Sequence, residues 1–400
     1  MPKSRRRKPR KTSKQRTDRS RPKPSGWGEF EPWARAMMLA DEAEARGDAN
    51  GALEVMEAFA LGPDGKPFWR PWRIEYLCQI ESLASILPPW VTSRWICNQA
   101  MQCLHEGNRD RKRRAFDLAV ELRGGRAHLP GIDEADVHGR VVDRDWAYRQ
   151  LFLYELGGLD FFVRRVASSL LLAGADSMSE WSRAQMGGYQ LVDEGTATTT
   201  WRDLGSGEPQ SCADIGSGVF VAPGEHVLGR LVPTQRGPMF ESRPLLVPET
   251  VAHAVAERPA DWVDLLRTSR TAAGVEPIVL DGPHRDSLVS DVPPYAWQLA
   301  LLGPAALRAD PCDEGFASTL ARAVLDVAAH EIECERDRRP EEVNIWPCLG
   351  AALLEPYVVE GLPDALTSSD QQLLRQVSRL VAEPAATLCR EAAEELFNAA

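Results

Sequence analysis

Residues able to hold a metal are spread thinly along this chain, and their spacing decides which of them can act together. His330, Glu331 and Cys334 fall within one turn of the stretch HEIEC. Residues four apart on a helix can share one ion, and Glu331 is placed as a base beside them. Plotted at about 100° per residue, however, a helix from Glu314 to Asp337 carries Phe316, Leu320, Val324, Val327 and Cys334 on one apolar face, with His330 at its edge. Cys334 then reads as a core thiol. No third ligand lies nearby, so no metal site is expected, and His330 with Cys334 is the nearest approach to one. A second group, Asp133, Glu134, Asp136, His138, Asp143 and Asp145, offers oxygen ligands but sits in a polar connection before a helix, where such residues solvate a loop and supply an N-cap. Cys97 and Cys103, six residues apart on one expected helix, face directions roughly 240° apart and make no site.

Basic and aromatic residues form the other constellation. Trp69-Arg70-Pro71-Trp72-Arg73 interleaves indoles with guanidiniums, Arg94-Trp95 repeats the pairing, and residues 109–114 (RDRKRR, with Arg111, Lys112, Arg113 and Arg114) add net +4. Arginine and tryptophan together can stack on bases and pair with phosphates. In a helix starting at Asn108 these cations would oppose the helix dipole, a local cost that hints at an anionic partner. The competing reading makes Trp69, Trp72 and Trp95 core anchors and the arginines a solvated face.

The first 24 residues extend the theme. They hold 12 Lys and Arg against one Asp, a net charge of +11 on a chain whose total is −11. Arg5, Arg6, Arg7, Lys8, Arg10, Lys11, Lys14 and Arg16 are the densest part, and five of the seven lysines of the chain lie in this arm. A run of like charges with almost no apolar residue cannot offset the entropy of ordering, so residues 1–26 are expected to be disordered and to seek polyanions. The body is graded in charge, with net −5 over residues 25–186 and net −17 over 187–400. An anionic partner is therefore best tolerated at the N-terminal end.

Several classes find no support. There is no G-x-x-x-x-G-K-[ST], since Gly65-Lys66 is followed by Pro67, and Gly216-Ser217-Gly218 lacks the third glycine and the following helix of a dinucleotide site. No G-x-S-x-G elbow occurs and no cofactor is expected, so the balance leans away from an enzyme. Eight cysteines without a C-x-x-C pair, and a basic N-terminus without an apolar h-region, read as reduced thiols in a cytoplasmic protein. No apolar stretch approaches the roughly 18 residues of a membrane span.

With 44% apolar residues the body can build real cores, and 12 tryptophans favour a packed one. Helices are expected over Trp33–Arg46, Ala52–Leu61, Arg73–Ile86, Val91–His105, Asp145–Leu156, Asp160–Ala173 and Ser177–Met186, with Asp145 and Asp160 as N-caps. Around Gly187 the period changes, and short runs rich in Thr, Val, Leu and Phe, broken by Gly, Ser and Pro, predict about five strands up to Val247. Beyond Pro248 the chain is helical again, with Ser368 and Gln371 as a capping box. The fold class is mostly α with a small central antiparallel β module, divided as arm 1–26, helical domain 27–186, β module 187–247 and acidic helical domain 248–400.

Three local resemblances accompany this reading. HEIEC is similar to the H-E-x-x-H helix of zinc proteases with Cys334 in place of the second histidine, which would imply a metal-dependent hydrolase, the least favoured function. The stretch from Gly47 to Ala60 resembles the second helix of one tetratricopeptide repeat. T200-W-R-D-L-G-S-G-E208 with G224-E-H-V-L-G-R-L-V-P233 resembles a β module of uncharacterised bacterial proteins, actinobacterial in type, and implies no activity; the Cys/His motif that often closes that module is absent. The favoured function is sequence-indifferent binding of nucleic acid or another polyanion, with a helical scaffold for protein partners as the alternative.

Overall fold

The computed structural model describes residues 31–126, 129, 134–273, 287–302, 315–334 and 344–399. The basic arm lies outside them. The N-terminal helices are α1 (Glu31–Ala45), α2 (Ala49–Ala58), α3 (Pro71–Ser82), α4 (Pro89–Gln102), α5 (Glu106–Leu122), α6 (Glu134–Arg144), α7 (Trp146–Gln150), α8 (Gly158–Arg165), α9 (Ser169–Ala173) and α10 (Met178–Trp181). α7 runs directly into a π turn at Leu151–Glu155. Seven strands follow: β1 (Gly187–Glu194), β2 (Thr198–Asp203), β3 (Pro209–Ala213), β4 (His226–Gly229), β5 (Leu231–Thr234), β6 (Gly237–Phe240) and β7 (Leu245–Val247). The remaining helices are α11 (Glu249–Glu257), α12 (Trp262–Ala273), α13 (Pro294–Trp297), α14 (Phe316–Cys334), α15 (Trp346–Leu353), α16 (Pro356–Ala365), α17 (Gln371–Val377) and α18 (Ala385–Ala399). The chain is thus mostly α with a small antiparallel β module.

Local chemistry accounts for many of these boundaries. Gly47 at φ +79° ends α1, its N–H donating to the Glu44 carbonyl while the Asp48 N–H donates to that of Ala43. That pair of bonds satisfies orphan carbonyls at the helix end, and Asp48 then caps α2 by accepting from the Gly51 N–H at 2.8 Å. Pro71 and Pro89 stand at the first positions of α3 and α4, where a missing N–H costs nothing. Asp145 caps α7, accepting from the Tyr148 N–H at 2.8 Å. Asp160, expected as a cap, lies inside the first turn of α8 instead, because Gly157 at φ +69° turns the chain three residues earlier. The capping box near α17 is formed by Thr367 and Asp370, one residue before the pattern read from sequence.

The sheet has the order β3-β2-β1-β4-β7, every pair antiparallel, and β5 and β6 form a separate hairpin. Strand alternation gives the sheet two different faces. Tyr189, Leu191, Trp201, Cys212 and Val227 point into a small core closed by Val221 and Phe240. The opposite face, with Leu228 and Val247, joins a continuous apolar cluster that extends from Ala36 to Ala393 and includes Val251, Ala252 and Val255 of α11. α11 crosses this face closely enough that a Cβ on Gly188 would lie 2.0 Å from the Ala252 carbonyl oxygen. Only glycine fits there.

Candidate functional site

The arm residues Arg5, Arg6, Arg7, Lys8, Arg10, Lys11, Lys14 and Arg16 lie outside the described residues, so geometry bears on the basic stretch of the body. Trp69 and Trp95 are 6% and 4% exposed, which removes their ring faces from base stacking. The Trp69 indole N–H donates to the Met56 carbonyl at 3.0 Å and that of Trp95 to Glu44 at 3.2 Å. Arg73 is turned inward with them. Its guanidinium donates to Glu44 and Asp41, at 2.6 Å each, and stands 5.4 Å over the Trp69 ring. Burial pushes the Glu44 and Asp41 carboxyls up, and Arg73 offsets part of that rise. Arg70 remains largely exposed but pairs with Asp143 at 2.7 Å.

The run on α5 divides in the same way. Arg111 donates to the carbonyls of Leu156 and Gly107, at 2.9 and 2.5 Å, and lies 5.2 Å over the Phe161 ring. Lys112 donates to the Met101 carbonyl at 2.7 Å and sits 5.5 Å from the centre of the Phe152 ring. These two cations pin α5 to its neighbours, while Arg109, Arg113 and Arg114 face solvent, Arg113 with a 3.0 Å pair to Asp110. The helix starts at Glu106, capped by the His105 ring nitrogen at 3.0 Å from the Gly107 N–H. The cations from Arg109 onward therefore lie past its first turn, where the dipole has little reach, and the conflict that hinted at a partner does not arise.

The acidic group before α7 is dispersed into pairs. Glu134 meets Arg126 at 2.6 Å, Asp136 meets Arg140 at 3.2 Å, Asp143 meets Arg70, and Asp145 meets Arg123 at 2.5 Å. His138 stacks on Phe116 at 4.9 Å. Asp133 lies outside the described residues. His330 and Cys334 do approach, with 3.6 Å between Sγ and Nε2, yet both are exposed. The expectation of a core thiol at Cys334 is thus corrected: the buried face of α14 is Ala321, Val324, Leu325 and Ala328, and Cys334 lies about 240° round from Ala328.

Sequence gave no sign of the polar seam where α4, α7 and the β module meet. Arg94 donates to Asp291 at 2.8 Å and to the Phe240 carbonyl at 2.9 Å, and Ser217 donates to the other oxygen of Asp291 at 2.6 Å. Arg149 donates to Glu241 at 3.1 Å and to Asn98 at 2.7 Å. Gln150 donates to Glu241 and accepts from Arg230, which also meets Glu155 on the π turn and covers the Tyr154 ring at 4.4 Å. Burial alone would raise the Glu241 carboxyl, but Arg149 and the bonds from Ser242 and Gln150 hold it below its usual range. Arg94, Asn98, Asp145, Arg149 and Glu241 line a cleft of about 100 Å³ beside this seam. Ligand pockets are usually about 300–1,000 Å³, so the cleft has room for a few waters and its charges serve to join the chain. No local signal could have found it, because Arg94 and Asp291 are 197 residues apart.

No family model matches the chain, and no match to it was found among curated proteins or solved structures.

Proposed function

We propose that this chain binds nucleic acid or another polyanion without regard to sequence, through the cations of its first 24 residues. The observation that carries this reading is the net charge of +11 in that arm against −22 for all that follows. Support from the body is confined to the solvent-facing Arg109, Arg113 and Arg114 of α5, together with the exposed Arg70; Arg73, Arg111 and Lys112 serve internal contacts. No helix among the described residues is long and apolar enough to cross a membrane, and a cytoplasmic setting belongs to the same proposal.

The test is a band shift of labelled duplex DNA and of RNA by the intact chain and by a variant lacking residues 1–24. If the arm makes about 6 to 10 phosphate contacts, the affinity of the intact chain drops roughly 10³- to 10⁵-fold between 50 and 200 mM salt. The shortened variant binds far more weakly at the lower salt. Equal shifts by both, or no shift by either, would end the proposal. Protein partners that stay bound in nuclease-treated lysate would favour a scaffold instead, with the arm docking an acidic protein surface.

A further inference from the structure

The edge of the sheet where α11 begins brings together three side chains with metal-ligating atoms. His226 opens β4, Glu249 opens α11, and His253 follows Glu249 by four residues on the same helix face. One ligand atom from each lies within 4.8 Å of those of the other two. Nε2 of His253 is 3.9 Å from a carboxylate oxygen of Glu249, and the two imidazole centres are 6.0 Å apart. Among the described residues this is the one group in which three such side chains converge.

The fold holds this juxtaposition in place from two sides. His226 shares a sheet face with Leu228, two residues on, and that is the face α11 covers. Val247 pairs directly with His226 across the β4–β7 ladder, and only Pro248 separates it from Glu249. The backbone of α11 is brought against β1 by Gly188, so His253, one turn into the helix, is carried to the His226 ring. His226 is the fixed partner. The Glu249 and His253 side chains are 69% and 51% exposed, so they can close on an ion by changing rotamer, without disturbing the core.

We propose that His226, Glu249 and His253 bind one divalent first-row transition ion of the zinc class, leaving a coordination position open to solvent. Two imidazoles and one carboxylate suit zinc, cobalt or nickel, whereas magnesium and calcium prefer oxygen ligands throughout. Bonds of about 2.0–2.2 Å to a tetrahedral ion place ligand atoms roughly 3.3 Å apart, a modest contraction from the separations seen here. Three protein ligands rather than four leave a place for water or an anion. The site is independent of the basic arm and of the polyanion reading. A histidine in a strand 27 positions before one in a helix carries no motif; E-x-x-x-H at 249–253 was the only local sign.

The test uses the full chain carrying Cys334→Ser, which removes the one thiol exposed among the described residues, stripped with a chelator and titrated with Zn²⁺ by calorimetry and with Co²⁺ by visible absorption. Saturable binding of one equivalent is expected, with Co²⁺ bands of a four- or five-coordinate nitrogen and oxygen site. His253→Gln, at an exposed helix position, lowers affinity by at least the roughly 10-fold that even an outer partner contributes, and His226→Ala does the same. His253→Gln keeps the metal-free melting temperature of the parent, whereas Zn²⁺ raises that of the parent alone. Absence of saturable binding, or affinity unchanged in His253→Gln, would overturn the site.

Discussion

Asp214 shows how much one buried group can weigh. It is 2% exposed, and one oxygen accepts from the Gly216 N–H at 3.1 Å. Burial pushes its carboxyl up to about 7, with Glu194 and Asp291 adding to the rise against the Gly216 bond. A raised acid binds its proton more tightly in the folded chain than in the unfolded one. Stability from this group is therefore greatest below the ordinary value of 3.8 and falls as pH climbs to about 7. Asp214→Asn should flatten that slope, so that urea midpoints of variant and parent agree near pH 4 and the variant is more stable, by on the order of a few kcal/mol, above pH 7. A parent curve without this slope would contradict the shift. At the same scale the inward contacts of Arg73, Arg111 and Lys112 were not legible, because charge in a string of letters does not reveal which cation finds a carbonyl or a carboxylate inside.

At the scale of elements, local pattern was a good guide to what forms and a poor one to which way it faces. The first two helices and the change of period at Gly187 stand within a few residues of expectation, since caps, prolines and periodicity act over one or two turns, whereas α15 and α16 were not resolved from the general helical character expected beyond Pro248. The face of α14 was misplaced because its apolar stripe is broad, and packing chose the Ala321–Ala328 line over the one through Cys334. The π turn after α7 left no mark in the sequence. The contact of α11 with β1 was likewise invisible, and it makes a sharp prediction. In Gly188→Ala the added methyl meets the Ala252 carbonyl and forces α11 outward, at a cost of roughly 1–3 kcal/mol. Thermal melts should register that loss. Zinc affinity should fall with it, as His253 moves away from His226.

The whole molecule is held across its length by charges far apart in sequence. Arg94 on α4 and Asp291, just before α13, are 4% and 0% exposed at the side chain, and the pair also binds Ser217 and the Phe240 carbonyl. Asp291→Asn leaves a buried guanidinium without its counter-charge, and removal of one partner from such a pair costs about 3–5 kcal/mol. Denaturant unfolding should show this as a lower midpoint, with much of the loss recovered in the Arg94→Met, Asp291→Leu double variant. Two variants that lose stability additively would mean that the pair is not coupled. Long-range ties of this kind are what a single sequence withholds, because nothing local distinguishes Arg94 from an arginine on a solvated face.

The margins of the β module bear on how this molecule can meet others. At one margin β3 begins with Pro209, which has no N–H to offer, and β6 packs beside it. At the other, β7 is three residues long and leads at once into α11. A partner peptide that joins a sheet needs a long row of free backbone donors and acceptors, and neither margin supplies one. Strand addition is thereby disfavoured at both edges of the five-stranded sheet. What the described surface offers a partner is side-chain chemistry: arginines on a helix, and a pair of imidazoles beside a carboxylate.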